Sequence, residues 1–241
     1  MNDPYLLLWF EAPLQSWGVE SKFGRRDTLN FPTKSGVLGL ICSALGLSGE
    51  QKDFLASFAD LDMQIISYAK TNSELVQLPL RDFHMVGSGY DDKDPWQSLL
   101  IPKKSDGGKS VGGGSKITYR YYLQDAVFAV LLQVPQDKSS LLSVALQNPI
   151  WDIYLGRKNC IPTELIYRGI FTHLSEALNE AEQLSMNKNY YKKFTVIQGE
   201  HGDDKDSIIS LNDVPLQFGE YKLYRDRLVT IIQEEVLDGG E

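Results

Sequence analysis

Aromatic rings and fixed cations recur together at four places in this chain, and the pairing limits the chemistry open to it. Gln15-Ser16-Trp17-Gly18 leads through Arg25-Arg26 to Pro32-Thr33-Lys34-Ser35, where an apolar pattern of helical spacing begins. Leu80-Arg81-Asp82-Phe83-His84, Tyr119-Arg120-Tyr121-Tyr122 and Tyr154-Leu155-Gly156-Arg157-Lys158 repeat the theme. A ring offers a π face on which a base can stack, and a guanidinium offers a fork of donors for a phosphate. Single-stranded RNA presents both partners. A helix start adds unpaired N–H groups and partial positive charge, to which Lys34 contributes a full one. The expected RNA contacts are therefore stacking by Trp17, Tyr119 and Tyr121, and phosphate pairing by Arg25, Arg26, Lys34, Arg81, Arg120, Arg157 and Lys158. Gln15, Thr33, Ser35 and His84 complete the set as polar contacts. At strand spacing Arg81 and Phe83 share one face, and Asp82 and His84 the other, so one ligand cannot meet all four. A competing reading of Trp17 places it in the core, with Gly36 and Gly39 admitting close helix-to-sheet packing.

Charge is distributed to suit this. The net charge of −8 argues against nucleic acid only as an average. Between Lys22 and Lys34 four bases face a single acid, Asp27, and between Lys103 and Arg120 five bases face Asp106. Two basic islands on an acidic body are expected to touch RNA only where the islands point.

Signatures of catalysis are sparse. Gly108-Lys109-Ser110 invites a phosphate-loop reading, but the earlier glycine of that motif would fall on Lys103. His84, His173 and His201 are too scattered for a zinc site, and Asp203, Asp204 and Asp206 beside His201 read as a solvated turn. No Gly-x-Ser-x-Gly elbow occurs. Neither metal nor cofactor is expected. A metal-independent ribonuclease would have to draw base, acid and cation from His84, Tyr119 and Lys116.

The elements that must position these groups follow from hydrophobic periodicity. Tyr5 to Phe10 reads as a strand buried on both faces. Thr33 caps a helix from Lys34 that Gly46 or Gly49 closes. Strands are expected over 62–69 and 78–86, then 117–123 and 126–134, and a helix over 139–147 stopped by Asn148-Pro149. Between 78 and 123 lies a long β-hairpin whose tip is rich in glycine, serine and lysine. This β-α-β, hairpin, β-α order is an α+β arrangement close to a ferredoxin-like, RNA-recognition-motif core over residues 1–150. Residues 151–241 are expected to form a smaller β-rich subdomain, with a helix over 174–184 and short strands over 194–198, 208–211, 217–223 and 228–232. No apolar run approaches the ~20 residues of a membrane span, and no secretory signal is visible, so the expected location is cytoplasmic. Cys42 and Cys160 read as free thiols.

The stretches Ala12 to Gly18, Phe31 to Leu40, Leu80 to His84, Tyr119 to Leu123 and Tyr154 to Cys160, in this order over residues 5 to about 171, resemble the fifth-numbered family of CRISPR-associated (Cas) proteins in its type I-E form, the Cascade subunit CasD. Each stretch alone is weak, and jointly they are specific. The resemblance implies a ferredoxin-like fold with a β-hairpin thumb. It also implies a non-catalytic role: capping the backbone filament, gripping the 5′ handle of the guide crRNA, and meeting the neighbouring backbone subunit, the large subunit and, through the assembled complex, target DNA. Type I-C relatives cleave repeat RNA, which is the enzymatic alternative. The thumb tip matches no motif of the family, and beyond about 171 the resemblance fades.

Overall fold

The computed structural model describes residues 3–18, 24–70, 78–86, 93–98, 104–108, 116–202 and 207–234. The basic residue Lys22, most of the hairpin tip and the acidic run at 203–206 lie outside them. In chain order the elements are β1 (Tyr5–Glu11), β2 (Leu14–Gln15), β3 (Arg25–Arg26), α1 (Lys34–Leu45), α2 (Lys52–Ala56), β4 (Met63–Lys70), β5 (Leu80–Val86), α3 (Pro95–Ser98), β6 (Lys116–Gln124) and β7 (Val127–Gln133). There follow α4 (Ser139–Gln147), β8 (Tyr167–Phe171), α5 (Leu174–Asn187), β9 (Tyr190–Gln198), β10 (Ile208–Gln217) and β11 (Leu223–Gln233).

The chain is mixed α and β, with a mostly antiparallel sheet of seven strands in the order β10-β11-β9-β4-β7-β1-β8. The period of two in β1 decides which core each residue joins. Leu6, Leu8 and Phe10 pack with Val37, Leu38 and Ile41 of α1 and Leu142 and Leu146 of α4, while Leu7 and Trp9 pack with Ala177 and Ala181 of α5. A strand covered on both faces must be apolar throughout, which is why β1 does not alternate. Each large side chain so buried contributes ~1.5–3 kcal/mol. Trp9 stacks between Tyr68 and Tyr190, with ring centroids 5.4 and 6.4 Å away, and its indole N–H reaches Glu11 at 2.9 Å.

The capping signals act as expected at α1. The Thr33 hydroxyl accepts the Gly36 N–H at 3.1 Å, and Gly46, with φ +68°, turns the chain out of the helix. The strands expected in the first half are present with shifted ends. The second half differs from expectation. It is β-rich, but its strands form no sheet of their own: β9, β11 and β10 extend the sheet from the free edge of β4, and β8 closes the far side against β1. The strand expected over 217–223 is the turn between β10 and β11, where Gly219 sits at φ +81°. Among the described residues no helix is long and apolar enough to cross a membrane.

One polar cluster interrupts the outer core. The β10–β11 register passes from Asn212↔Asp226 to Val214↔Arg225, so Asp213 is an extra, bulged residue, and its side chain is turned inward. Its carboxylate accepts from Arg227 Nε at 2.7 Å and Nη2 at 3.0 Å, and from the backbone N–H of Lys34 at 2.7 Å.

Candidate nucleic-acid interface

A second, smaller sheet projects the cationic and aromatic residues. β5 and β6 pair as an antiparallel hairpin, and β6 also takes β2 in antiparallel and β3 in parallel pairing. The hairpin register places Arg81 opposite Tyr121, Phe83 opposite Tyr119 and Met85 opposite Ile117. Directly opposed residues point to one side of a sheet, so these six share a face. Phe83 and Tyr119 meet edge to face at 5.7 Å, and both are exposed. The Arg81 guanidinium lies 5.7 Å from the Tyr119 ring. Arg25, brought in by β3, lies 5.0 Å from the Tyr121 ring and pairs with Asp27 at 2.7 Å. The result is an open surface of π faces bracketed by guanidinium groups, suited to bases and phosphates together.

The opposite face carries Asp82, His84 and Arg120, with Tyr122 buried beneath. His84 is joined to Asp82 through Nε2. His84 and Tyr119 thus stand on opposite faces of the hairpin.

Several expected contacts are instead structural. Trp17 is 1% exposed, lies flat on Phe10 at 5.4 Å and donates to Gln15 at 3.1 Å, so its ring offers no face to a base. Gln15 is wholly buried and donates to the Ala126 carbonyl at 2.6 Å and to that of Phe10 at 3.3 Å. The Thr33 hydroxyl is spent on its cap and buried. Lys34 is also wholly buried, with Nζ donating to the carbonyls of Ala59 and Leu61 at 3.2 and 2.5 Å. Burial depresses its pKa to about 8, with the nearby Arg227 adding to the effect. The Asp213 carboxylate already occupies the N-terminal dipole of α1, so this helix start is not an anion site.

Arg157, expected to pair with phosphate, acts as a clamp within the chain. Its terminal nitrogens donate to Tyr121 O at 3.1 Å and Arg26 O at 2.9 Å, and the guanidinium lies 4.6 Å from the Tyr122 ring. Beside it Gly156 (φ +102°) lies so close to β2 that a Cβ would sit 1.8 Å from Ser16 O. Of the remaining candidates Arg25, Arg81, Tyr119 and Lys158 are exposed, and Arg26, Ser35, His84, Arg120 and Tyr121 are half-buried. Met85 and Ile117, not among the expected contacts, flank the ring pair on its own face. Their alternate spacing after Arg81-Phe83 and before Tyr119-Tyr121 was the available signal.

This fold and surface define a class: proteins whose antiparallel sheet carries a projecting hairpin studded with rings and cations. Residues 5–229 match the model of the family described as CRISPR-associated protein (Cas_Cas5), and the chain belongs to that family. The CRISPR system Cascade subunit CasD of Escherichia coli (strain K12) is 30% identical over 175 residues, covering 68% of this chain and 70% of that one. Among solved structures, a chain of a CRISPR RNA-guided surveillance complex superposes with a TM-score of 0.68 at 25% identity, over 95% of this chain and 89% of the other. A further crystal structure, of a Cas protein, is alike in fold, with a TM-score of 0.60 at 24% identity over 95% and 94% of the two chains.

Proposed function

We propose that this chain is a non-catalytic, cytoplasmic subunit of a Cascade-type CRISPR surveillance complex and binds the 5′ handle of the guide crRNA. The observation that carries the reading is the open hairpin face, on which Arg25 and Arg81 bracket Tyr121, Tyr119 and Phe83. The relative's name, a Cascade subunit, and the RNA-guided complex that contains the similar chain point the same way. The strand order β8-β1-β7-β4, with α1 and α4 packed together against one face, supports a ferredoxin-like core into which the hairpin is inserted as a thumb. Met85 and Ile117 then offer an apolar edge to the neighbouring backbone subunit, and contact with the large subunit and target DNA comes through assembly. Against cleavage stands the separation of His84, engaged by Asp82, from Tyr119 on the other face.

The test is salt-dependent binding of repeat-derived RNA. Arg25→Ala and Arg81→Ala should each lower the slope of log K against log salt by ~0.7, the single-strand value per phosphate contact. Unchanged slopes in both variants sink the assignment. Incubation of the same RNA with the protein in chelator decides the enzymatic alternative: site-specific cutting lost on His84→Ala would replace the reading.

A further inference from the structure

A cleft of about 430 Å³ lies beside α1, within the size range of ligand sites. Its floor is the outward face of the helix at Ser35, Gly36 and Gly39, and its far wall is the β10–β11 turn with Phe218, Lys222 and Tyr224. That wall is built in, because the Phe218 N–H donates to Glu50 O, just beyond α1, at 2.9 Å.

The two helical glycines differ in what the fold asks of them. A Cβ on Gly36 would stand 2.9 Å from both the Trp17 ring and the Thr33 hydroxyl, so packing demands glycine. A Cβ on Gly39 would meet nothing within 4 Å. Glycine in a helix interior is the costliest ordinary residue other than proline, and nothing among the described residues requires it at 39. Among the described residues the space in front of it is open.

The cleft also adjoins the hairpin. Ser16 and Gly156 line it, the Ser16 hydroxyl donates to Tyr121 O at 3.3 Å, and Arg157 beside Gly156 donates to the same carbonyl. The cleft thus abuts the backbone of β6 at the foot of the hairpin.

We propose that this cleft seats one nucleotide of the bound single-stranded RNA, an inference that rests on the RNA-binding reading above. The base enters between the Phe218 and Tyr224 side of the cleft and the side-chain-free helix surface at Gly39. Ser35, whose hydroxyl donates to Thr33 Oγ1 at 3.3 Å, offers its oxygen as an acceptor to the base edge, and Lys222, exposed at the rim, pairs with the phosphate.

The experiment uses the full chain and a repeat-derived RNA oligonucleotide, unmodified for binding and 4-thiouridine-substituted for photocrosslinking. Gly39→Leu fills the cleft from a helix position with free space, and Lys222→Glu reverses the rim charge in an exposed turn, where folding is not at stake. Both should weaken binding about tenfold, and crosslinked peptides should include Phe218 or Tyr224. Wild-type affinity in Lys222→Glu and in folded Gly39→Leu, with crosslinks confined to β5 and β6, overturns the cleft. If Arg25→Ala and Arg81→Ala still weaken binding in that case, the RNA-binding reading survives without it. Absence of any RNA binding by the wild type removes both.

Discussion

Lys34 shows how a residue of the right type in the right place can serve another purpose. Its ammonium is sealed between backbone carbonyls at the start of α1, and burial holds its pKa near 8 instead of the ordinary 10.5. Below pH 8 both folded and unfolded chains carry the proton, and the full cost of burying the charge is present. Between about 8 and 10.5 the unfolded chain keeps a proton that the folded chain has released, so this group makes stability rise with pH. The span corresponds to roughly 3 kcal/mol at most. Lys34→Met lacks this titration. Melting both proteins from pH 7 to pH 10 should move the difference in Tm toward the wild type as pH rises, while the salt slope of RNA binding stays unchanged in the variant. A Tm difference independent of pH would contradict the buried position. Sequence could not separate Lys34 from Arg25, because both are cations in one basic stretch. What separates them is Asp213, 179 residues away, which takes the helix N-terminus that a phosphate would need.

At the scale of elements, the sorting of side chains by face within each hairpin arm was legible, because strand alternation needs no reference to the rest of the chain, whereas the register between the arms was not. Arg81 and Phe83 fall on one face, and Tyr119 and Tyr121 join them across the ladder. The segment from Trp17 to Ser35 was legible only in part. Its caps and helix followed from local rules, but its aromatic residue belongs to the core, where Phe10 and Gly36 leave a slot for the indole. The loop from Leu155 to Cys160 looked cationic and is a brace: Ser16 N–H donates to Leu155 O at 3.1 Å, and Arg157 ties β3 to β6. Gly156→Ala should therefore be far costlier than an exposed loop change. A left-handed φ and a Cβ overlapping Ser16 O together should cost about 3 kcal/mol or more in chemical denaturation. Amide exchange at Ser16 should accelerate in the same variant. A cost below about 1 kcal/mol would show that the brace does not bear on the hairpin.

For the molecule as a whole, the expected boundary at residue 150 coincides with no break in the sheet. The two halves share one sheet: β9 pairs with β4 and β8 with β1, and one core contains Leu6, Val196 and Val229. Periodicity identifies strands but not their neighbours, which is why the second half read as separate. Calorimetry should show one unfolding transition with equal calorimetric and van't Hoff enthalpies, and limited proteolysis should release no stable 1–150 fragment. Two resolved transitions would restore the boundary. The bulged Asp213 carries a consequence for how that outer sheet finds its alignment. The pairing of β10 with β11 contains two irregularities, and its register is held by a buried apolar face at Leu211, Val214 and Val229 as well as by this ion pair. A slip of one residue would turn Asp213 to the solvent side and strand Arg227 in an apolar interior, a penalty of ~3–5 kcal/mol for an uncompensated buried charge. The pair thus works as a registration pin. The same carboxylate accepts the Lys34 N–H, so the alignment of the last strands of the chain is tied to the first turn of a helix near its beginning.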